Sequence, residues 1–267
     1  MKGRVLIVAG SDSGGGAGIQ ADIKAVSALG GYAATAISAL TAQNTQGVFA
    51  IHAVPPAFVR QQMELVLDDI GADCVKTGML ASVAIIEAVA ASLDSHATGV
   101  KLVVDPVMVA KGGASLLADD AARAMIDLLV CRAALITPNI PEAEVLLGRP
   151  IAGVAAMEAA ARDLLALGCG AVLLKGGHLE GDDLVDVLVQ PQGVTRFASR
   201  RIATTSTHGT GCTLASAIAC GLAQGMDLAA AVGRGRVYVR RAIETAPGLG
   251  RGHGPLNHLH AIGAYEW

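Results

Sequence analysis

Six short segments, most of them rich in valine, isoleucine and leucine, recur along the chain, at 4–9, 33–40, 73–76, 101–104, 134–137 and 171–174. Segments of helical length fall between most of them, at 17–29, 56–69, 82–93 and 155–167. Strands without polar alternation must be covered on both faces, and parallel neighbours need a long crossover between them. The pattern predicts an α/β fold: a mostly parallel sheet with helices on both sides. Runs at 184–189 and 194–198, separated by QPQG, read as an antiparallel hairpin near an edge. Residues 212–246 read as two helices broken at QGMD. No Pro- or Ser-rich linker, fixed-period repeat or low-complexity tract intervenes, so one domain over 1–267 is expected.

The polar residues collect where these strands end. GSDSGGGAG follows the first run, TAQNTQG the second, KTGM the third, DPVMVAKGG the fourth, TPNIPEAE the fifth and KGGH the sixth. In a parallel sheet those ends share one edge, and ligands bind in the crevice there. Gln43, Asp105, Asn139, Glu142 and Lys175 are therefore expected to converge. The first glycine run is not a phosphate-binding G-x-x-x-x-G-K-[ST] loop. Gly14 and Gly16 suit a dinucleotide fingerprint, but Ile19 holds its third glycine position. The run reads instead as backbone that approaches, or folds over, a small ligand.

Asp105 and Glu142 are hard carboxylate ligands suited to Mg²⁺, with the amide of Asn139 beside them. Asn139 and Glu142 also have the spacing of a residue that caps a helix and one that complements its dipole. Lys175 supplies a point charge for phosphate oxygens. Metal, cation and anion nest together are what phosphoryl transfer requires.

The nest is read from STHGTGC. Gly209, Thr210, Gly211 and Cys212 open a helix of small residues, so their N–H groups face a negative charge. In that field the Cys212 thiol is expected to have a lowered pKa. The other four cysteines, Cys74, Cys131, Cys169 and Cys220, sit in apolar or helical settings and are expected in the core. Without a C-x-x-C pair, and with an odd count, structural zinc and a disulfide framework are disfavoured, and a reducing cytoplasm is the natural setting.

Composition narrows the partners. Hydrophobic residues make up 52% and charged residues 16%, enough for a large core. Aromatics at 3% and a net charge of -3 disfavour nucleic acid, which needs stacking rings and basic surface. No uninterrupted apolar run reaches the roughly 18 residues that a spanning helix needs, and the N-terminal run is too short for a secretion signal. Neither a membrane nor a nucleic-acid partner is expected. Apolar surface on so alanine-rich a chain favours a homodimer.

The motifs AGSDSGGGAGIQAD, SALTAQNTQGV, VKTGML, DPVMVAKGG, TPNIPEAE, LLKGGH, HGTGC and GHGPLNH span nearly the whole chain. Together they resemble the hydroxymethylpyrimidine/phosphomethylpyrimidine kinases of thiamin biosynthesis, in the ribokinase-like superfamily. The resemblance implies a three-layer α/β/α fold without a separate lid domain, ATP and Mg²⁺, and two successive phosphorylations. It implies that Gln43 binds the aminopyrimidine, with Met79, Val107 and Gly10 beside the ring and Asp22 near the hydroxymethyl end. Asp105 and Glu142 fall on metal positions, and Asn139, Lys175 and Lys111 on phosphate positions. Cys212 stands where most ribokinase-like enzymes carry a catalytic aspartate, either as base or only to orient the acceptor. Two rivals are a pyridoxal kinase of the same branch and a non-catalytic pyrimidine or nucleotide sensor. A thiol hydrolase has only His208 as a nearby partner.

Overall fold

The computed structural model describes residues 1–108, 119–179 and 181–263. Its strands are β1 (Arg4–Asp12), β2 (Tyr32–Asn44), β3 (Gly47–Ala53), β4 (Cys74–Thr77), β5 (Lys101–Val104), β6 (Leu135–Ile136), β7 (Val172–Leu174), β8 (Asp183–Gln190) and β9 (Gly193–Arg200). They form one sheet in the order β3-β2-β1-β4-β5-β6-β7-β8-β9. The six strands from β2 to β7 pair in parallel, while β3 at one side and β8 and β9 at the other are antiparallel.

The helices are α1 (Gly18–Ala28), α2 (Pro56–Asp69), α3 (Val83–His96), α4 (Asp119–Leu128), α5 (Ile140–Leu147), α6 (Gly153–Leu165), α7 (Thr210–Ala223) and α8 (Leu228–Glu244). Successive side chains of a strand point to opposite faces, so β1 feeds two cores at once. Val5, Ile7 and Ala9 join α1, α7 and α8, while Leu6 and Val8 join α2 to α6. This is the expected three-layer arrangement. Helix α7 is buried along ten consecutive residues from Thr213 to Leu222, and its alanines and glycines let it lie close to the sheet. That places its first turn over the C-terminal ends of the central strands.

Three expectations need correction. The polar stretch after the second strand is not a loop: β2 runs through Gln43 to Asn44 and turns tightly into β3. Strand β3 escaped notice because it lies at the edge and is largely exposed, so no buried face imposes alternation. Helix α4 likewise has no counterpart among the segments of helical length read from the sequence. Finally, Cys131 is exposed, carried outward on the short 3₁₀ turn Val130–Arg132.

Candidate active site

A cleft of about 1230 Å³ opens along the C-terminal edge of the parallel strands. A single drug-sized ligand needs roughly 300–1,000 Å³, so two small substrates fit together. Gln43, Met79, Asp105, Val107, Asn139, Glu142, Lys175 and Cys212 all line it, as do Gly10 and the turn Gly209–Gly211. The convergence expected from strand ends is therefore present. Lys111 lies outside the described residues.

At the centre, Asp105 Oδ1 accepts hydrogen bonds from Thr137 Oγ1 at 2.8 Å and Lys175 Nζ at 3.1 Å. Burial alone would raise this carboxyl, but Lys175, Lys76 and the hydrogen bonds hold it below the usual carboxylate range. Burial likewise opposes the charge on Lys175, and Asp105 and Glu142 more than restore it. Glu142 is pushed up to about 7 by burial and the nearby Asp105, against the pull of Lys175. A Cβ on Gly211 would stand 3.2 Å from Lys175 Nζ and 3.9 Å from Asp105 Oδ2, so the first turn of α7 sits directly on this group.

Asn139 and Glu142 form a reciprocal capping box at the start of α5. Glu142 N donates to Asn139 Oδ1 at 2.9 Å, and Asn139 N donates to Glu142 Oε2 at 2.8 Å. The box fixes the Glu142 carboxylate at the cleft wall. Among the described residues, the hydrogen bonds on these carboxylates fall on Asp105 Oδ1 and Glu142 Oε2. No cluster of three or more His, Cys, Asp or Glu among the described residues is arranged to hold a metal. Two carboxylates suit Mg²⁺ that keeps waters and shares substrate phosphates.

The turn before α7 behaves as the sequence suggests in geometry but not in acidity. Gly209 has φ 80° and caps α7 without a side-chain acceptor, leaving the end open to an anion. Burial, however, pushes the Cys212 thiol up to about 11; Lys76 draws it down, while Asp22 and Asp105 oppose ionisation. The expected low pKa is corrected: the helix end does not outweigh desolvation, and a neutral thiol faces the cleft.

Asp22 also differs from expectation. It is fully buried and does not line the cleft. Its carboxylate accepts from Lys76 Nζ at 2.9 and 3.0 Å and from Ser216 Oγ at 2.7 Å. Lys76 is not among the residues expected from the sequence, although a lysine inside a strand covered on both faces must have a partner.

Asp12 is a second residue that the sequence reading does not single out. Its carboxylate accepts from the N–H groups of Gly14, Gly16 and Ala17 and from His208 Nε2 at 2.8 Å. An acid just before a glycine run is the signal that would have found it. A Cβ on Gly209 would collide with the Gly16 carbonyl, so the two glycine turns touch. The tail closes the same corner. Arg251 N and Gly252 N each donate to Thr45 Oγ1 at 3.2 Å, His253 N donates to the Thr45 carbonyl at 2.8 Å, and His208 N donates to the Gly254 carbonyl. Ser13 Oγ meanwhile pins the Gln43 carbonyl at 2.8 Å. The far end is walled by β8, β9 and α8, where Arg236 pairs with Asp186 at 2.7 Å and lies over Phe197.

The sequence profile of the family Phosphomethylpyrimidine kinase matches residues 12–257. The chain is 55% identical over 260 residues to the Thiamine biosynthesis bifunctional protein ThiED of Geobacter sulfurreducens, covering 97% of this chain and 53% of that protein. It thus spans about half the length of that relative. It is 46% identical to the Hydroxymethylpyrimidine/phosphomethylpyrimidine kinase of Rhizobium meliloti, with 96% of both chains covered. In structure it resembles the ADP complex of Bacillus subtilis pyridoxal kinase, with a TM-score of 0.89 and 35% identity over 97% of this chain and 98% of the other.

Proposed function

The chain belongs to the phosphomethylpyrimidine kinase family, and on that premise we propose how its cleft works. It is a hydroxymethylpyrimidine/phosphomethylpyrimidine kinase of thiamin biosynthesis, with ATP as phosphoryl donor. The acceptor is first 4-amino-5-hydroxymethyl-2-methylpyrimidine and then its monophosphate. The observation that carries this reading is the meeting of Asp105, Lys175 and the first turn of α7 at one point of the cleft.

Phosphoryl transfer passes through a loose transition state with charge spread over the oxygens, so positioning and electrostatics dominate. Lys175 and the N–H groups of Gly209, Thr210, Gly211 and Cys212 stabilise that charge. Asp105 and Glu142 would hold Mg²⁺, which when bound neutralises phosphate oxygens. Asn139 keeps Glu142 in place and borders the phosphates. Cys212, neutral at physiological pH, orients the acceptor oxygen rather than deprotonating it. The Gln43 amide reads the pyrimidine, with Gly10, Met79 and Val107 against the ring. The nucleotide occupies the end walled by Phe197 and Arg236.

Residues 1–267 are read as one kinase domain working in the cytoplasm; no helix among the described residues is long and apolar enough to cross a membrane. A homodimer is supported by apolar side chains on the exposed β2–β3 edge, such as Phe49, which is 71% exposed. Sedimentation equilibrium at two loading concentrations tests it.

The deciding experiment is mass spectrometry of products after incubation with MgATP and hydroxymethylpyrimidine. A pyrophosphate product is expected. Arrest at the monophosphate, with efficient turnover of pyridoxal, would favour the vitamin B6 reading, and no product would favour the sensor.

A further inference from the structure

Lys76 is fully buried, charged, and unused by the chemistry described so far. It lies on β4 at the cleft floor, with two N–H groups on the equally buried Asp22. Asp22 is itself clamped by Ser216 of α7. Ser216 and Cys212 are four residues apart, hence on one face of α7 and one turn from each other. Tethering Ser216 to the ion pair therefore seats Cys212 above the same pair. Burial raises the Cys212 thiol, and Lys76 is the strongest influence in the opposite direction, which agrees with that placement.

An ion pair so deep adds little net stability, because desolvating two charges cancels most of their attraction. Its value is sought in what the charge faces. A neutral thiol cannot offset negative charge on an acceptor oxygen, whether a hydroxyl losing its proton or a phosphate oxygen that is already charged. A fixed cation beneath the thiol can serve both.

We infer that Lys76, locked by Asp22 and Ser216 under the first turn of α7, is a positioning residue for phosphoryl acceptors: it seats Cys212 and provides the positive charge that lets one site use an alcohol and then a phosphate. The inference rests on the kinase reading above.

The test compares Lys76→Met with the double variant Lys76→Met/Asp22→Leu, which replaces the ion pair by apolar groups of similar size. Lys76→Met alone leaves a buried carboxylate unpaired and is expected to unfold more easily. The double variant should recover most of the wild-type Tm, yet kcat should stay down by ~10²-fold, the range seen on losing one preorganised charge-stabilising group. KM for ATP should be unchanged, and KM for the monophosphate should rise more than that for the alcohol. A merely structural role would not separate these constants. Recovery of kcat together with Tm in the double variant would overturn the inference. Should neither variant fold, Ser216→Ala decides: a loss of at least ~3-fold in kcat at unchanged KM for ATP supports the tether, and wild-type kcat removes it. If the wild-type protein itself forms no product, the kinase reading fails, which is distinguishable from failure of the role of Lys76.

Discussion

Asp12 and His208 stand 196 positions apart in sequence and 2.8 Å apart in space, joined by a hydrogen bond from the imidazole to the carboxylate. The bond links the glycine turn after β1 to the glycine turn before α7. Burial would raise the Asp12 carboxyl, but His208 and the N–H groups of Ala17 and Gly14 hold it below the usual range. Removing the imidazole by His208→Ala should cost about 1.5–3 kcal/mol, typical for a hydrogen bond to a charged group. Urea unfolding checks this, and His208→Gln should recover part of the loss.

Asp105→Ala removes the carboxylate that Lys175 and Thr137 hold. Mg²⁺-dependent kcat should fall by ~10²-fold or more, while the calorimetric Kd for the pyrimidine changes little. Equal loss of binding and turnover would remove Asp105 from the metal role.

Gln43→Ala should raise KM for the pyrimidine about 10-fold, the equivalent of a lost hydrogen bond in a partly enclosed site. KM for ATP should not move, because the end of the cleft proposed for the nucleotide is walled by β8, β9 and α8. Steady-state kinetics with each substrate varied in turn gives the answer.

Cys212→Ser replaces a neutral thiol by a neutral hydroxyl. With the thiol at about 11, no thiolate limb belongs in the pH–kcat profile between pH 6 and 9, in wild type or variant. The expected loss in kcat is below ~10-fold, smaller than the 10²–10⁴-fold attributed to general acid–base groups. A wild-type limb near neutrality that vanishes in the variant would reinstate the base.

His258 is buried against Thr213 and lowered from 6.5 to about 4, chiefly by burial and then by nearby Lys24. Its unfolded form binds a proton below pH 6.5 while the folded form stays neutral, so stability rises with pH in this window. Stability is therefore lost as pH falls from 6.5 towards 4, at up to about 1.4 kcal/mol per pH unit. Denaturation across that range should show the slope, and His258→Gln should flatten it.

The parallel strands were legible because burial on both faces leaves a short apolar run, as in 102–104. Helix α2 was readable to its ends, since proline opens it and its buried face recurs at Val59, Met63 and Leu67. Strand β3 was not, because an exposed edge carries no pattern that burial would impose. Within the cleft, Asp105, Glu142 and Lys175 could be placed because strand ends share one edge, and Cys212 because a glycine turn opens its helix. Lys76 and Asp12 act through partners distant in sequence, and no local spacing announces such pairs. The acidity of Cys212 was misread because the sequence shows the helix start but not the depth of burial.

The grip of residues 251–253 on Thr45 has a temporal consequence. The two partners are separated by 206 and 207 positions at the Thr45 hydroxyl, and chains are synthesised at roughly 5–20 residues per second. The hairpin that carries Gln43 therefore waits on the order of ten seconds or more during translation before its clasp exists. A nascent chain can fold its sheet in that interval, but this corner of the cleft closes only once residues 251–253 have been made.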